Sequence, residues 1–183
     1  MHHHAAGARI GRVPTARGLT HASLYLDQNY LSGIAKDKPA FRDLAPVLRD
    51  AVDAGAITVF ESEIHARESE PRPDLKLMEL LHELSGGRRL PAALDRPARE
   101  AQRRMRWVIE HELPERRPRP SDAADLDALA QALTHCDLVT TDAFMADVIR
   151  RARLNIRHRA EVFSGRRPDV LRLRDRLLAQ VGP

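Results

Sequence analysis

The sequence predicts an α/β protein built on a parallel sheet with helices over both faces. Two observations carry this. Short apolar or β-branched runs recur at residues 23–26, 56–60, 137–141 and 160–164, and each is followed by a segment with apolar residues at helical spacing. Strands that alternate with helices form crossover units, which pair the strands in parallel and bury the sheet between helical layers. A chain of 183 residues is long enough for one domain with a sizeable core. No apolar run approaches the roughly 20 residues of a membrane span.

The elements follow in order. Residues 1–21 read as a disordered tail, and 22–183 as a single domain. The tail lacks the apolar centre of a signal peptide, so a cytoplasmic location is expected. Its three histidines are set aside from metal arguments. Residues 23–26 are the first strand, and "NYLSGIAK" is a short helical turn. In "FRDLAPVLRDAVDAG", Phe41, Leu44, Val47, Leu48, Ala51 and Val52 recur at helical spacing until Gly55 stops the helix. "AITVF" is the second strand. A helix is expected from Glu61 until "EPRPD" breaks it. Residues 74–113 hold two more helices, read as a helical insertion in a long crossover. "PERRPRPSD" is a proline-rich linker. Then "DAADLDALAQAL" is a helix, "DLVTT" a strand, "DAFMADVIRRARL" a helix, "AEVFS" a final strand and "RPDVLRLRDRLLAQ" a final helix.

Net charge is +4, with a pI near 9.8. Lysine occurs only at Lys36, Lys38 and Lys76, so the positive charge is nearly all arginine. Guanidinium groups pair bidentately with phosphate oxygens, which fits a phosphate-bearing partner. A chain rich in arginine and alanine throughout has the same balance without any such partner. Cys136 is the only cysteine, which excludes a disulfide framework and a thiolate metal cluster.

Sites in open parallel sheets form beyond the carboxyl ends of the strands. Asp27 follows the first strand, Glu61, Glu63 and Glu68 follow the second, and Asp142 follows the third. Asp122, Asp125 and Asp127 open the helix before that third strand. Like charges gathered at one edge raise one another's pKa, and a hard divalent cation removes the repulsion. Each acid also has a purely structural use. Asp27 and Asn29 fit a turn, Asp142 fits a helix cap, and Asp122 with Asp125 fits a cap and its N3 partner. Helical geometry sorts the middle group. With Ile64 facing the core, Glu61 and Glu68 lie toward it and Glu63 faces water. Asp122 and Asp125 flank one side of the stripe Leu126, Leu129, Ala130 and Leu133, and Asp127 flanks the other.

Together "LYLDQNYLSGI", "FESEIHARE" and "DLDALAQALTHCDLVTTDAF" resemble the PIN-domain ribonucleases. The first strand ends in Asp27, with Asn29 two residues on. Ser62 to Glu68 has the family's spacing to its second acid. "VTTD" supplies Thr140 and Asp142. The third acid is taken as Asp125, because the connection "THCD" is one residue tighter than usual, with Asp122 and Asp127 as alternatives. The resemblance covers about two thirds of the chain; residues 74–113 lie outside it.

It implies a three-layer PIN-like fold with a central parallel sheet of four to five strands. It also implies cleavage of single-stranded RNA with Mg²⁺ or Mn²⁺ held by Asp27, Glu68, Asp125 and Asp142. Asn29 and Thr140 would orient those groups. Cys136 would be a packed small residue. An antitoxin protein and a homodimer are the partners it implies.

Arg103 and Arg104, with Arg116, Arg117 and Arg119, form a basic stretch suited to a phosphate backbone; a solvated helix face is the alternative. Trp107 is expected in the core or at a subunit contact, and His65 as a partly exposed packing residue. Two rivals remain. An aspartyl phosphatase wants a second carboxylate where Asn29 stands; that no phosphate-cradling Gly-rich loop follows the first strand argues against nucleotide-triphosphate hydrolysis and dinucleotide binding. A PIN-like module that binds nucleic acid or protein without catalysis is the other.

Overall fold

The computed structural model describes residues 21–70, 73–115 and 122–182, and leaves undescribed the side chains of Glu68 and Asp122. The expected tail lies outside the described residues except for His21. That residue is tied down: its Nδ1 meets the Gly55 carbonyl oxygen at 3.0 Å and its Nε2 meets Thr58 Oγ1 at 2.7 Å. Arg116, Arg117 and Arg119 also lie outside.

Four strands, β1 (Ala22–Tyr25), β2 (Ile57–Phe60), β3 (Leu138–Thr141) and β4 (Glu161–Ser164), form one sheet in the order β2-β1-β3-β4. Every pairing is parallel, with Tyr25 beside Phe60 on one side and Val139 on the other. The side-chain period of two then divides the core. Tyr25, Phe60, Val139 and Val162 enter one apolar layer, and Leu24, Val59, Leu138 and Phe163 the other. A sheet buried on both faces explains why the strands are apolar without alternation.

The helices are α1 (Gln28–Ala35), α2 (Pro39–Arg42), α3 (Leu44–Asp53), α4 (Glu63–Ser69), α5 (Leu77–Ser85), α6 (Arg96–Glu112), α7 (Asp122–His135), α8 (Ala143–Arg151), α9 (Leu154–Arg157) and α10 (Arg167–Val181). Leu77, Leu81 and Leu84 of α5 pack in the layer with Leu31, Leu48 and Leu173. Ala98, Ala101, Met105 and Val108 of α6 pack in the opposite layer with Leu129 and Leu133. The 74–113 block therefore crosses from one face of the sheet to the other rather than standing outside it. Gly33 of α1 lies against Phe41, and a Cβ there would sit 2.7 Å from the ring, so only glycine lets α1 and α2 come this close. Among the described residues, no helix is long and apolar enough to cross a membrane.

Two positions differ from expectation. The helix after β2 begins at Glu63, not Glu61. Glu61 still pairs as sheet: its N–H donates to the Arg88 carbonyl and its carbonyl accepts from Leu90, each at 2.8 Å. Ser62 then caps α4 in a capping box in which His65 takes the place usual for Glu or Gln. Trp107 is 53% exposed and stacks on His111, with ring centroids 4.9 Å apart, because the apolar face of α6 is already filled by Ala101, Met105 and Val108.

Candidate functional site

Three strands reach the same edge in register, so the residues that follow them meet there. Asp27 follows β1, and its side chain caps α1 as the chain turns from strand to helix. Its Oδ1 accepts from the N–H groups of Asn29 (2.8 Å) and Tyr30 (3.2 Å), and its Oδ2 faces the Asn29 side-chain amide at 3.3 Å. Asp142 follows β3 and caps α8, accepting from the Met145 N–H at 2.7 Å. Asp125 stands half-buried in the first turns of α7.

These three carboxylates line one open cleft of about 320 Å³, together with Tyr25, Asn29, Ile64, Leu129 and Met145. Among its described lining residues there is no arginine, lysine or histidine. Burial pushes the Asp27 carboxyl up to about 6; the backbone bonds from Tyr30 and Asn29 oppose this, and the Asp142 charge adds to it.

The other predicted residues fall as follows. Thr140 is fully buried and acts on the Asp27 backbone: its Oγ1 accepts from the Asp27 N–H at 2.8 Å and donates to the Tyr25 carbonyl at 3.2 Å. Asp127 lies on the far side of the α7 stripe, in an adjoining cavity, and accepts from Gln102. Glu68 belongs to α4, the helix whose Ile64 lines the cleft, and its side chain lies outside the described residues, as does that of Asp122. Arg103 pairs with Glu100 on the exposed side of α6, and Arg104 lines a surface groove beside Trp107; neither lines the cleft. Cys136 is buried and its thiol is pushed far up by that burial, so it is held as a neutral packing residue.

His65 matters in a way its spacing does not reveal. It is fully buried, not partly exposed, and stacks on Tyr25. Its Nε2 meets the Leu26 carbonyl at 2.7 Å and so carries the proton, while Nδ1 accepts from the Ser62 N–H at 2.9 Å. Burial lowers its pKa to about 4, against the pull of the Leu26 carbonyl and the Glu61 charge. It clamps α4 to the residue before Asp27. The Ser62-x-x-His65 spacing is the one signal in the sequence for this, and it is masked because the usual N3 residue is Glu or Gln.

An all-carboxylate donor set suits a hard cation such as Mg²⁺ or Mn²⁺. Asp27, carrying a raised pKa next to Asp142, is the kind of group that a cation would relieve. The fit is one of donor type and shared cleft. Among the described residues, no three His, Cys, Asp or Glu side chains already converge as a ready-made cage. No family model, curated protein or solved structure matches the chain.

Proposed function

We propose that the chain is a divalent-cation-dependent endoribonuclease of the PIN-like kind, cleaving single-stranded RNA at the cleft of Asp27, Asp125 and Asp142. The observation that carries this is the cleft itself: three carboxylates from three separate elements, with no basic side chain among its described lining residues. Glu61 and Asp169, by contrast, each have an arginine partner.

Held by Asp27, Asp125, Asp142 and Glu68, Mg²⁺ or Mn²⁺ would supply the positive charge that offsets charge developing on a phosphodiester and would make a water more acidic. The protein's own groups do the positioning. Asn29 and Tyr30 fix the orientation of the Asp27 carboxylate. Thr140 and His65 hold the N–H and the carbonyl of the Leu26–Asp27 peptide group just before it. Tyr25, Ile64, Leu129 and Met145 give the cleft apolar walls, which strengthen electrostatic interactions by thinning out water. Arg103, Arg104, Arg116 and Arg117 are the candidates for tracking the RNA backbone. A toxin role with an antitoxin partner, and a homodimer, rest on the family resemblance alone.

The test is incubation with labelled single-stranded RNA in Mn²⁺, in Mg²⁺ and in chelator, beside Asp27→Asn and Asp142→Asn. Cation-dependent cleavage, lost in both variants, is expected. Cleavage that survives chelator or both substitutions overturns the reading. One observation favours a second reading, a PIN-like binding module without catalysis: the absence of a ready-made cage among the described residues. It predicts RNA binding without cation and no cleavage in the same assay.

A further inference from the structure

Trp107 is the only tryptophan of the chain, and it stands half out in solvent, where large aromatic side chains are seldom left. It is held in place there. Its ring stacks on His111, whose Nδ1 meets the Trp107 carbonyl oxygen at 2.9 Å. The stack covers one face of the indole, and the ring also lines a surface groove between the ends of α6 and α8. The groove's other apolar residues, Val108 and Ala152, are buried, so Trp107 is the one exposed apolar side chain among its described lining residues.

The surroundings are basic. Glu112, at the end of α6, faces Arg151 at 3.7 Å, and Glu100, about three turns earlier, feels the charge of Arg157. The chain from Arg151 to Arg157 therefore runs back along α6. Residues 148–160 carry five arginines and no Asp or Glu. Arg103 is paired with Glu100, and Arg151 with Asp147 and Glu112. Arg104, Arg153, Arg157 and Arg159 are exposed, and their guanidiniums are in no ion pair among the described residues. Arg153 and Arg159 also have left-handed backbone, at φ 55° and 53°, so charge stands at two positions that glycine would adopt more easily.

An exposed ring among unpaired guanidiniums is the arrangement that holds single strands without reading sequence: a base stacks on the ring, and arginines take the phosphates. A protein partner asks for the reverse, an apolar centre depleted of charge. We propose that this face of α6, α8 and α9 is a docking surface for single-stranded RNA, with one base stacked on Trp107 and the neighbouring phosphates held by Arg104, Arg153 and Arg157. Arg151 closes α8, the helix that Asp142 opens, so the surface lies about 14 Å from the cleft along that helix. It would hold a strand whose continuation enters the cleft, and in that purpose the proposal rests on the nuclease reading.

The test has two arms. Because Trp107 is the sole indole, its fluorescence reports this surface alone. Full-length protein in chelator is titrated with single-stranded RNA of about 12 nucleotides, with the matching duplex and with polyphosphate. Single-stranded RNA is expected to quench Trp107 most strongly, and polyphosphate, which has no base, to bind without quenching. With labelled RNA followed by anisotropy, Trp107→Ala should weaken binding about 10-fold and Trp107→Phe much less. Arg104→Ala and Arg157→Ala should each reduce the salt slope by about 0.7. RNA that leaves the fluorescence unchanged, or that binds Trp107→Ala as tightly as the natural chain, overturns the surface. So does emission that follows protein concentration instead of RNA, which marks a second copy of the chain as the occupant.

In the second arm, cleavage is followed with Mn²⁺. Trp107→Ala should raise KM for the long RNA about 10-fold and keep kcat. A dinucleotide with its phosphodiester in the cleft cannot reach Trp107, and its cleavage should not change. An unchanged KM for the long RNA in an active enzyme overturns the surface and keeps the nuclease. Quenching by RNA that is never cut overturns the nuclease and keeps the surface.

Discussion

Asp27 and Glu61 leave neighbouring strands at the same edge of the sheet, and they are provided for in opposite ways. Glu61 is 2% exposed and saturated: Ser85 donates at 2.6 Å, His82 stands at 3.2 Å and Arg89 at 3.3 Å. Burial alone would raise its pKa, but the bonds from Ser85 and His82 and the Arg89 charge outweigh that and hold it below the usual range. Asp27 receives only N–H groups, sits near another carboxylate, and is raised to about 6. A carboxylate with matched cations is a rivet. One left short of positive charge reduces stability.

The largest expected effect breaks the pair apart by function. Asp27→Asn should lower cation-dependent cleavage by more than about 100-fold, while Glu61→Gln, assayed at a temperature where it stays folded, should change it little. Equal losses would erase the distinction.

Stability should move the other way. Glu61→Gln should destabilise by about 2 kcal/mol in denaturant titration at pH 7, below the value for a fully buried pair because His82 and Arg89 reach it from solvent. Asp27→Asn keeps the cap and should stabilise by about 2 kcal/mol at pH 7 in chelator, a gain that fades as pH falls through 6 toward 4.

A third test is the pH profile. His65 has a folded pKa below its unfolded value, so its contribution is present above about 6.5 and lost as pH falls toward 4. Asp27, raised when folded, contributes stability that is present at low pH and lost as pH rises through about 6. Between pH 4 and 6 the unfolded chain holds the His65 proton and the folded chain the Asp27 proton, so the two slopes cancel. Asp27→Asn should unmask the His65 slope, about 1.4 kcal/mol per pH unit in chelator. A flat profile in that variant would remove His65 from the account. The smallest effect belongs to Asn29→Ala, expected to slow cleavage by about 10-fold through a less well oriented Asp27, with stability unchanged.

How far the sequence reached follows from the range of each interaction. The strand ends were legible because Asp27 and Asp142 each end a short apolar run and start a helix, which is local information. Asp125 against Asp127 was legible as two sides of one helical stripe. Glu61 was not, since its backbone pairs with Arg88 and Leu90, some thirty residues on, and that contact delays α4 by two residues. His65 was misread for a similar reason: its burial depends on Leu26 and Tyr25, brought to it by the sheet. Trp107, expected in the core or at a subunit contact, is not in the core, because smaller residues already fill the buried face of α6.

The parallel sheet has a consequence for synthesis of the chain. β1 lies between β2 and β3, and its second neighbour is 114 residues later in the chain (Leu24 beside Leu138, Tyr25 beside Val139, with Asp142 following). Pairings of such long separation form late, after much loop-closure entropy has been lost. A nascent chain emerging from a ribosome carries Asp27 early and its counterpart only when three quarters of the protein exists. No product that stops before Asp142 can assemble the cleft, so whatever this site does must wait until β3 and the residue after it have been made.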